Sequence, residues 1–321
     1  MHTYDITTLG EILIDFTPSG KSEGGRNMFE ENPGGAPANV AAAAAKLGAE
    51  TAFIGKTGAD QFGRDARAAL ADCGVYTGTL KEAQHLHTTF AFVTLSPSGE
   101  RSFAFARNGG ADITLAPDEL DRTVIENSTF LHIGSLSLTN EPSRSATLEA
   151  VRIAKKSGVF VSYDPNWREP LWADKTTGIE TMKSMFKYAD VVKISDNELE
   201  LMYGRNNPSA AQNIIDEGVK LICVTLGKDG VFYKTENFEG IISIPEYDIK
   251  TADTTGAGDS FTGALLYRLT RKNNPLSFTQ EELSADLNFA NAAATLCVSR
   301  RGAIPAMASL DEVNNLMETL R

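Results

Sequence analysis

A glycine-rich segment with acidic and hydroxyl side chains occupies residues 253–259, which read DTTGAGD. The apolar periodicity of residues 260–269 predicts a helix directly after it. Glycines at a helix start let backbone amides converge on one point, and the positive end of the helix dipole adds to them. The amides of Gly256, Ala257 and Gly258 are therefore predicted to hold an anion, such as a phosphoryl group during its transfer.

Asp259 places a carboxylate next to this predicted anion site. A carboxylate there repels a phosphate, and that cost is explained if Asp259 accepts the proton of a hydroxyl that attacks the γ-phosphorus. A simple helix cap explains an aspartate at this position equally well. The residue types of this segment leave both interpretations open.

The elements that would position this segment alternate between strands and helices. Short apolar runs predict strands at residues 130–133, 159–163, 191–194 and 221–224, and amphipathic periodicity predicts helices at residues 143–156 and 196–203. This alternation predicts an α/β fold with a wound, mostly parallel sheet flanked by helices. Such sheets bind ligands at the carboxyl ends of their strands, where these runs end in Asp164, Ser195 and Gly227.

Two segments, at about 9–34 and 88–107, break this alternation because their strand-like runs have no helices between them. Residues 96–100 predict the turn of a hairpin that joins residues 89–95 to residues 101–106. A small antiparallel sheet inserted into an α/β domain would serve as a lid or as a dimer surface, since its apolar face must be covered. An extra hairpin packed on the core fits the pattern equally well.

A second glycine turn opens a predicted helix at residues 32–41, which read NPGGAPANVA. With residues 253–261 it resembles the two signatures of the ribokinase-type (PfkB) carbohydrate kinase family, in the family's order. The resemblance covers essentially the whole chain, since matching segments lie between the two signatures: FARNGGAD at 105–112, DPNWR at 164–168, KISDNEL at 193–199 and TLGKDG at 225–230. It implies one ribokinase-like α/β kinase domain over residues 1–321, with a small β-sheet lid that often forms the dimer contact.

The resemblance implies that five residues contact the sugar: Asp15, Gly34, Gly35, Asn39 and Arg107. Asp15 matches a carboxylate that binds sugar hydroxyls in relatives, and a carboxylate can accept two such hydrogen bonds. The two glycines and Asn39 match a turn that lies against the sugar, where glycine permits a close backbone approach. Arg107 matches an arginine that reaches from the lid toward the substrate. Taken alone, these would be a turn carboxylate, a helix start and a surface arginine.

The resemblance implies ATP as the phosphoryl donor. Lys193 is similar to a position that contacts nucleotide phosphates in fructokinase-like members, and Arg168 is a less close match for the same neighbourhood. Asn291 matches a helix position near the adenine. The full set of implied ATP contacts is Lys193, Thr225, Gly227, Gly230, Gly258 and Asn291.

Two kinds of metal ion are also implied by the resemblance. Many relatives have an Asn-x-x-Glu motif tied to Mg²⁺ and phosphate; here Ser195 replaces the Asn and Glu198 is kept, which fits an action on Mg²⁺ through its waters. A first-turn carboxylate favoured by the helix dipole is the plain alternative for Glu198. Some relatives bind a monovalent cation, and the matching residues for K⁺ here are Asp253, Thr255, Cys297, Arg300, Gly302 and Ala306.

These features together predict an ATP-dependent sugar kinase in which Asp259 is the general base. Four stretches resemble the fructokinases most, which implies fructose as the acceptor and fructose 6-phosphate as the product. They are residues 10–15 (GEILID), 32–40, 164–168 followed by Leu171 and Trp172, and 193–199. A 2-keto-3-deoxygluconate kinase and an aminoimidazole riboside or nucleoside kinase share much of this pattern. A non-catalytic sugar-binding regulator on the same fold is the alternative from another class of protein.

The composition narrows the possible partners. A net charge of -12 argues against an extended nucleic-acid or anionic-membrane surface, because such surfaces need clustered Lys and Arg. No apolar run approaches the roughly 20 residues of a membrane helix, and three scattered cysteines indicate a reducing compartment. We therefore expect a cytoplasmic protein, a homodimer through the lid, whose ligands are a small sugar and ATP.

Overall fold

The computed structural model describes residues 3–95, 101–204 and 208–319, and the turn predicted at residues 96–100 lies outside them. The strands, in chain order, are β1 (Tyr4–Leu9), β2 (Leu13–Lys21), β3 (Asn27–Gly34), β4 (Thr51–Gly58), β5 (Leu80–Ala83), β6 (Phe90–Leu95), β7 (Arg101–Ala106), β8 (Ser128–Gly134), β9 (Phe160–Asp164), β10 (Val191–Ser195), β11 (Leu221–Thr225), β12 (Val231–Lys234) and β13 (Glu239–Ile242). The helices are α1 (Ala36–Lys46), α2 (Gln61–Asp72), α3 (Arg122–Glu126), α4 (Ser143–Lys156), α5 (Lys175–Ser184), α6 (Asp196–Tyr203), α7 (Pro208–Asp216), α8 (Ala257–Thr270), α9 (Gln280–Val298) and α10 (Leu310–Glu318).

A large sheet runs through the described residues in the order β13-β12-β11-β10-β9-β8-β1-β4-β5. Neighbouring strands from β11 through to β5 are parallel, whereas the edge strands β12 and β13 are antiparallel. Helices connect the parallel strands, so the carboxyl ends of these strands lie along one edge. The sequence-based prediction of a wound, mostly parallel α/β sheet is confirmed.

Two apolar clusters cover the two faces of this sheet. Helices α4, α6 and α7 pack on one face, and α1, α8 and α9 pack on the other. Side chains alternate between the faces along a strand, so on β10 Val192 and Ile194 join the first cluster and Val191 joins the second. Lys193 has the same parity as Val191, which turns its side chain toward the face of α1 and α8.

The small sheet has four strands in the order β3-β2-β6-β7. Its hairpins β2–β3 and β6–β7 are antiparallel, and they join through a parallel pair, β2–β6. The pair is parallel because the chain passes through α1, β4, α2 and β5 before it returns as β6. Asp15 pairs with Asn32 and Ala91, and Ala91 pairs with Phe105, so these four side chains share one face.

Helices α1 and α8 pack unusually closely. A Cβ atom on Gly263 of α8 would lie 2.7 Å from the Cβ of Ala43 and 2.8 Å from the carbonyl oxygen of Val40, both on α1. Each helix begins after a glycine with positive φ, Gly35 before α1 and Gly256 before α8. The close packing brings these two helix N-termini into one region. Across the described residues, no helix combines the length and apolar character that crossing a bilayer requires.

We predict that Gly263→Val lowers the free energy of unfolding by at least about 2 kcal/mol, because its branched side chain must displace helix α1. Urea unfolding followed by circular dichroism measures this. Gly24→Val is the control, since a Cβ at Gly24 has Ser22 Oγ at 3.9 Å as its nearest neighbour, and it should change stability by less than about 0.5 kcal/mol. Equal stability of the two variants would contradict the close α1–α8 packing.

Candidate active site

A cavity of about 270 Å³ lies between the carboxyl edge of the large sheet and the small sheet. Its walls come from β2, β10, the start of α1, the start of α8 and the loops beyond β7, β8 and β9. The lining residues are Glu11, Leu13, Asp15, Gly35, Ala36, Asn39, Phe105, Arg107, Leu136, Asn166, Arg168, Leu171, Lys193, Thr254, Thr255, Gly256, Gly258 and Asp259. The structure thus brings most of the predicted catalytic and sugar-contacting residues into one cavity; Ala257 and Gly34 lie just behind its wall.

Asp259 is the third residue of helix α8, which begins at Ala257. The N-cap is Gly256, with φ 79° and no side-chain hydrogen bond to the first turn. The carboxylate of Asp259 is turned toward α1 instead, where its Oδ2 accepts a hydrogen bond of 2.7 Å from Nδ2 of Asn39. Asp259 therefore does not act as the N-cap of its helix.

The surroundings make the Asp259 carboxylate more basic than an exposed aspartate. Burial raises its pKa, and this effect exceeds the lowering caused by the hydrogen bond from Asn39 and by the charges of Lys193 and Arg168. A general base works best when its pKa approaches the working pH. The electrostatics therefore suit proton acceptance at this carboxylate.

The start of α8 lies against a lysine. A Cβ atom on Gly258 would lie 2.6 Å from Nζ of Lys193, so a larger residue at this position would have to displace the ammonium from the helix. The first amides of a helix have no intrahelical acceptor; here the amide of Ala257 donates a long bond of 3.4 Å to the carbonyl oxygen of Thr254. An anion at this point would meet the positive helix end and a cation together.

Lys193 is paired with Asp164 at the carboxyl end of the neighbouring strand. Its Nζ donates a hydrogen bond of 3.1 Å to Oδ2 of Asp164. Burial alone would lower the pKa of Lys193, but the charges of Asp164, Glu198 and Asp259 together raise it. Burial raises the pKa of Asp164 to about 6, against the opposing effect of Lys193. Lys193 is thus a permanently charged ammonium at the floor of the cavity.

A second hollow, of about 410 Å³, adjoins the first and shares Asn166, Arg168 and Lys193 with it. Its other walls come from the loop after β9 and the first turns of α6. Lys193 therefore stands between two adjacent hollows.

Glu198 lies in the wall of this second hollow and is held by protein donors. Its Oε1 accepts a bond of 2.6 Å from the amide of Trp167, and its Oε2 accepts bonds from the amide and hydroxyl of Ser195 at 2.9 and 2.7 Å. Ser195 and Glu198 form the capping box of α6. Although burial alone would raise the pKa of Glu198, Lys193 and these hydrogen bonds lower it. Ser195 thus caps the start of α6 with its hydroxyl, although many relatives have Asn at this position.

Asp15 projects from β2 into the cavity beside the glycine turn before α1. A Cβ atom on Gly34 would lie 2.5 Å from Oδ2 of Asp15. Burial raises the pKa of Asp15 to about 7; Arg168 opposes this effect, and the charges of Asp259 and Asp253 add to it. A carboxyl group with this pKa is present in both protonation states near neutral pH. It can therefore accept hydrogen bonds from ligand hydroxyls or donate hydrogen bonds to them.

Arg107 follows β7 and its guanidinium is buried in the cavity wall at 7% side-chain exposure. It forms an ion pair with Asp112, with Nη2 at 2.7 Å from Oδ2. Further donations go to the hydroxyl of Thr139 and the carbonyl oxygen of Leu136. Arg107 is therefore fixed in place and is not a mobile surface arginine.

Four of the residues predicted to contact ATP form a separate group. Thr225 ends β11, and the turn of Gly227 and Gly230 follows it, closed by a bond of 2.8 Å from the amide of Leu226 to the carbonyl oxygen of Gly230. Nδ2 of Asn291 lies 3.4 Å from the carbonyl oxygen of Ile242, the atom against which Gly230 also packs. Thr225, Gly227, Gly230 and Asn291 are thus neighbours of one another but do not line either hollow.

Four of the residues predicted for a monovalent cation are joined by hydrogen bonds: Asp253, Thr255, Cys297 and Gly302. Asp253 is buried; its Oδ1 accepts from the amide of Thr255 at 2.8 Å and its Oδ2 from the amide of Gly302 at 3.3 Å. The thiol of Cys297 donates to the carbonyl oxygen of Thr255 at 3.7 Å. Arg300 extends toward Glu312 instead, and Ala306 closes a 3₁₀ turn nearby. Among the described side chains, no cluster of three His, Cys, Asp or Glu residues is arranged for a metal.

Three acidic residues of the site were not among the predicted site residues. In the sequence analysis Asp164 is the end of a strand and the first residue of a matching segment, and Asp112 ends another such segment, with no site role for either. Glu11 is 3% exposed and lines the cavity; its Oε1 accepts from the amide of Ala36 at 3.0 Å, and burial raises its pKa to about 7. Glu11, Leu13 and Asp15 are spaced two residues apart, so in an extended segment their side chains lie on the same face. This spacing is the sequence signal that could have identified Glu11.

A large wound sheet with a small sheet over its carboxyl edge is the ribokinase-like fold. A model of the family described as "pfkB family carbohydrate kinase" matches residues 4–309, and the chain belongs to this family. Fructokinase-1 of Oryza sativa subsp. japonica is 42% identical over 318 residues, which cover 98% of each chain.

Solved structures show the same relationship. Fructokinase from Xylella fastidiosa with bound ATP superposes with a TM-score of 0.91 at 31% identity, and 98% of each chain is covered. Fructokinase from Vibrio cholerae O395 with fructose, ADP and calcium ion has a TM-score of 0.89 at 34% identity, with 98% of this chain and 99% of that chain covered. A double mutant of the Vibrio enzyme has been solved with fructose, ADP and potassium ion, at a TM-score of 0.88 and 33% identity, with the same coverage.

The raised pKa of Asp15 leads to a prediction about stability. Its ordinary value is 3.8 and its folded value is about 7, so between these pH values the folded protein keeps a proton that the unfolded chain loses. Stability is therefore lost as the pH rises through this window, and the loss is complete above it. Asp15→Asn removes the ionisation and should raise the unfolding free energy at pH 8 by on the order of 2 kcal/mol, and by less at pH 5.

Urea unfolding of Asp15→Asn and the unsubstituted protein between pH 5 and 8.5 measures this difference. Asp248→Asn, at an exposed aspartate, is the control and should change stability by less than about 0.5 kcal/mol at every pH. A stability gain of Asp15→Asn that does not grow with pH would contradict the raised pKa.

Proposed function

We propose that the protein is an ATP-dependent fructokinase that converts fructose to fructose 6-phosphate. The observation that carries this proposal is the buried Asp259 carboxylate, held by Asn39 beside the start of α8 and facing the same cavity as Lys193. The family is one of carbohydrate kinases, and the relatives named above are fructokinases at up to 42% identity over nearly the full length.

In the proposed reaction Asp259 is the general base. Its Oδ2 is oriented by Asn39 and accepts the proton of the sugar hydroxyl as that oxygen attacks the γ-phosphorus of ATP. The raised pKa favours this acceptance. The amides of Gly256, Ala257 and Gly258 and the ammonium of Lys193 then stabilise the negative charge that develops on the phosphoryl oxygens.

The sugar would occupy the cavity of about 270 Å³ beneath the small sheet. Asp15 and Asn39 would bind its hydroxyls, the turn of Gly34 and Gly35 would lie against its carbon skeleton, and Arg107 would donate from the wall. The small sheet is in this view a lid over the sugar, and residues 1–321 form one domain with it.

The nucleotide would extend from the second hollow, with Lys193 at its phosphates and Arg168 nearby. The turn of Thr225, Gly227 and Gly230 and the helix position of Asn291 would then receive the nucleoside part. These residues do not line either hollow, and Thr225 pairs with Ser195 in the wall of the second hollow, which suits a nucleoside that extends outward from its phosphates.

Mg²⁺ bound to ATP would neutralise phosphate charge during the transfer. Glu198 fits this ion only through water, since three protein donors already occupy its oxygens. Mg²⁺ keeps several of its waters in such sites. Glu198 would thus bind a water of the ion and keep Lys193 charged.

We further propose that a homodimer forms through the small sheet. Met28 and Phe29 on its edge strand β3 are 42% and 43% exposed, and exposed apolar side chains on an edge strand favour pairing with a second copy. Sedimentation equilibrium at micromolar concentration tests this, and a monomer would contradict it.

A potassium requirement follows from the loop of Asp253, Thr255 and Gly302. A hard cation bound by carbonyl and carboxylate oxygens there would fix the amides that start α8. We predict that replacing K⁺ by tetramethylammonium at constant ionic strength lowers kcat by on the order of tenfold, because misplaced catalytic amides are costly. Activity that is unchanged in the organic cation would contradict the proposed cation site.

The function itself is tested by ADP release with a panel of acceptors: fructose, ribose, 2-keto-3-deoxygluconate and aminoimidazole riboside. We predict the highest kcat/KM with fructose, and a loss of on the order of 10² or more in kcat for Asp259→Asn, the usual range for a general base. The KM for fructose should change much less, because the lost interaction belongs to the transition state.

Asp311→Asn is the matched control, since Asp311 lies exposed in the first turn of another helix, α10; it should keep full activity. Near-normal turnover of Asp259→Asn would contradict its role as the base. A higher kcat/KM with another acceptor would replace fructose by that acceptor. Binding of sugar without turnover on any acceptor would favour a non-catalytic regulator.

A further inference from the structure

The two ends of the β6–β7 hairpin meet at a single carboxylate, that of Asp112. Thr89 stands directly before β6 and Arg107 directly after β7. The hydroxyl of Thr89 donates to Oδ1 of Asp112 at 2.5 Å, and Nε of Arg107 donates to its Oδ2 at 2.8 Å. One buried side chain thus joins the entry and the exit of this half of the small sheet.

The packing around this carboxylate is tight. The side chain of Asp112 is 1% exposed, and a Cβ atom on Gly110 would lie 2.2 Å from the hydroxyl oxygen of Thr89. The backbone closes the same region, where the amide of Gly110 donates to the carbonyl oxygen of Arg107 and the amide of Ala111 to that of His87, both at 2.9 Å. The carboxylate has little freedom to move.

The bonds of Arg107 determine what its guanidinium can offer to a ligand. An arginine carries five N–H donors in a rigid plane. Nε donates to Oδ2 of Asp112, and Nη2 lies 2.7 Å from the same oxygen. Nη2 donates to the carbonyl oxygen of Leu136, and Nη1 donates to the hydroxyl of Thr139. Among the described contacts, one Nη1 hydrogen has no protein acceptor, so it is available to a ligand in the cavity.

We propose that Asp112 is a positioning residue: it sets the plane of Arg107 so that a single Nη1 hydrogen meets a hydroxyl of the acceptor sugar. The hydrogen bond from Nε, the ion-pair contact of Nη2 with the same carboxylate oxygen, and two further protein acceptors leave the plane no freedom to rotate. This inference rests on the proposed sugar contact of Arg107 and adds the residue through which that contact is made.

The first test is the steady-state kinetics of Asp112→Asn. The amide keeps the shape but loses the charge that pairs with the guanidinium, so we expect the KM for fructose to rise by about tenfold or more. The kcat should stay within about threefold and the KM for ATP should not change, because a contact made equally in ground and transition states affects only KM.

A double-mutant cycle tests whether Asp112 acts through Arg107. Arg107→Met should itself raise the KM for fructose, and adding Asp112→Asn to it should raise that KM by less than about twofold more. An equal rise in both backgrounds would overturn the proposal, since it would show that Asp112 acts independently of the arginine.

Asp60 provides the matched control. Its oxygens accept hydrogen bonds of 2.8 and 2.7 Å from the amide and hydroxyl of Thr88, which lies just before the same hairpin. Among the described contacts, Asp60 has no bond to Arg107. Asp60→Asn should leave the KM for fructose within about twofold. A rise equal to that of Asp112→Asn would reduce Asp112 to an anchor of the small sheet and overturn the proposal.

Two outcomes separate this proposal from the function on which it rests. If Arg107→Met leaves the KM for fructose unchanged, the sugar contact of Arg107 is wrong and the proposal falls with it; if the unsubstituted protein does not phosphorylate fructose, the proposed function is wrong. If Asp112→Asn does not fold, Asp112→Glu replaces it. Asp112→Glu keeps the charge but shifts the carboxylate, so it should also raise the KM for fructose. In the Arg107→Met background it should raise that KM by less than about twofold more.

Discussion

The contact between helices α1 and α8 is the constraint on which the site depends. Gly263 lets the two helices approach until a Cβ would overlap Ala43, and their N-termini then lie side by side at the cavity. The hydrogen bond from Asn39 to Asp259 spans that junction. A small shift of either helix would separate the two residues, so backbone packing farther along the helices sets the geometry of the proposed base at their N-termini.

The cavity gathers charge that a folded protein normally avoids. Four carboxylates, those of Glu11, Asp15, Asp164 and Asp259, have pKa values raised by burial. Three cations, Arg107, Arg168 and Lys193, lie among them. Buried charges of one sign cost stability unless a partner or a ligand compensates. A sugar that donates hydroxyl hydrogens to the carboxylates and a phosphate that meets the cations would supply such compensation, which is why this destabilising arrangement indicates function.

Local patterns in the sequence predicted the elements well. The helices predicted at residues 143–156 and 196–203 have those bounds in the structure, because amphipathic periodicity and capping residues are local signals. Helix α8 begins earlier than predicted, since the left-handed Gly256 already ends the loop. The partners of the site residues could not be predicted in this way. Asn39 and Asp259 are 220 residues apart in sequence, and the ion pair of Arg107 and Asp112 depends on how one hairpin meets the body.

Ser195 shows how a departure from a family pattern can change the task of its neighbour. Its amide and hydroxyl bind Oε2 of Glu198 in the capping box, and the amide of Trp167 binds Oε1, so in the proposed reaction this carboxylate would act on Mg²⁺ through water and not as a direct ligand. Its charge contributes to the raised pKa of Lys193, which stands between the two hollows and touches the start of α8. The ammonium is thereby held charged at the boundary that the phosphoryl group would cross from ATP to sugar in the proposed reaction. The acidic residues behind it, which would repel a phosphate on their own, raise the pKa of Lys193 and so keep it protonated.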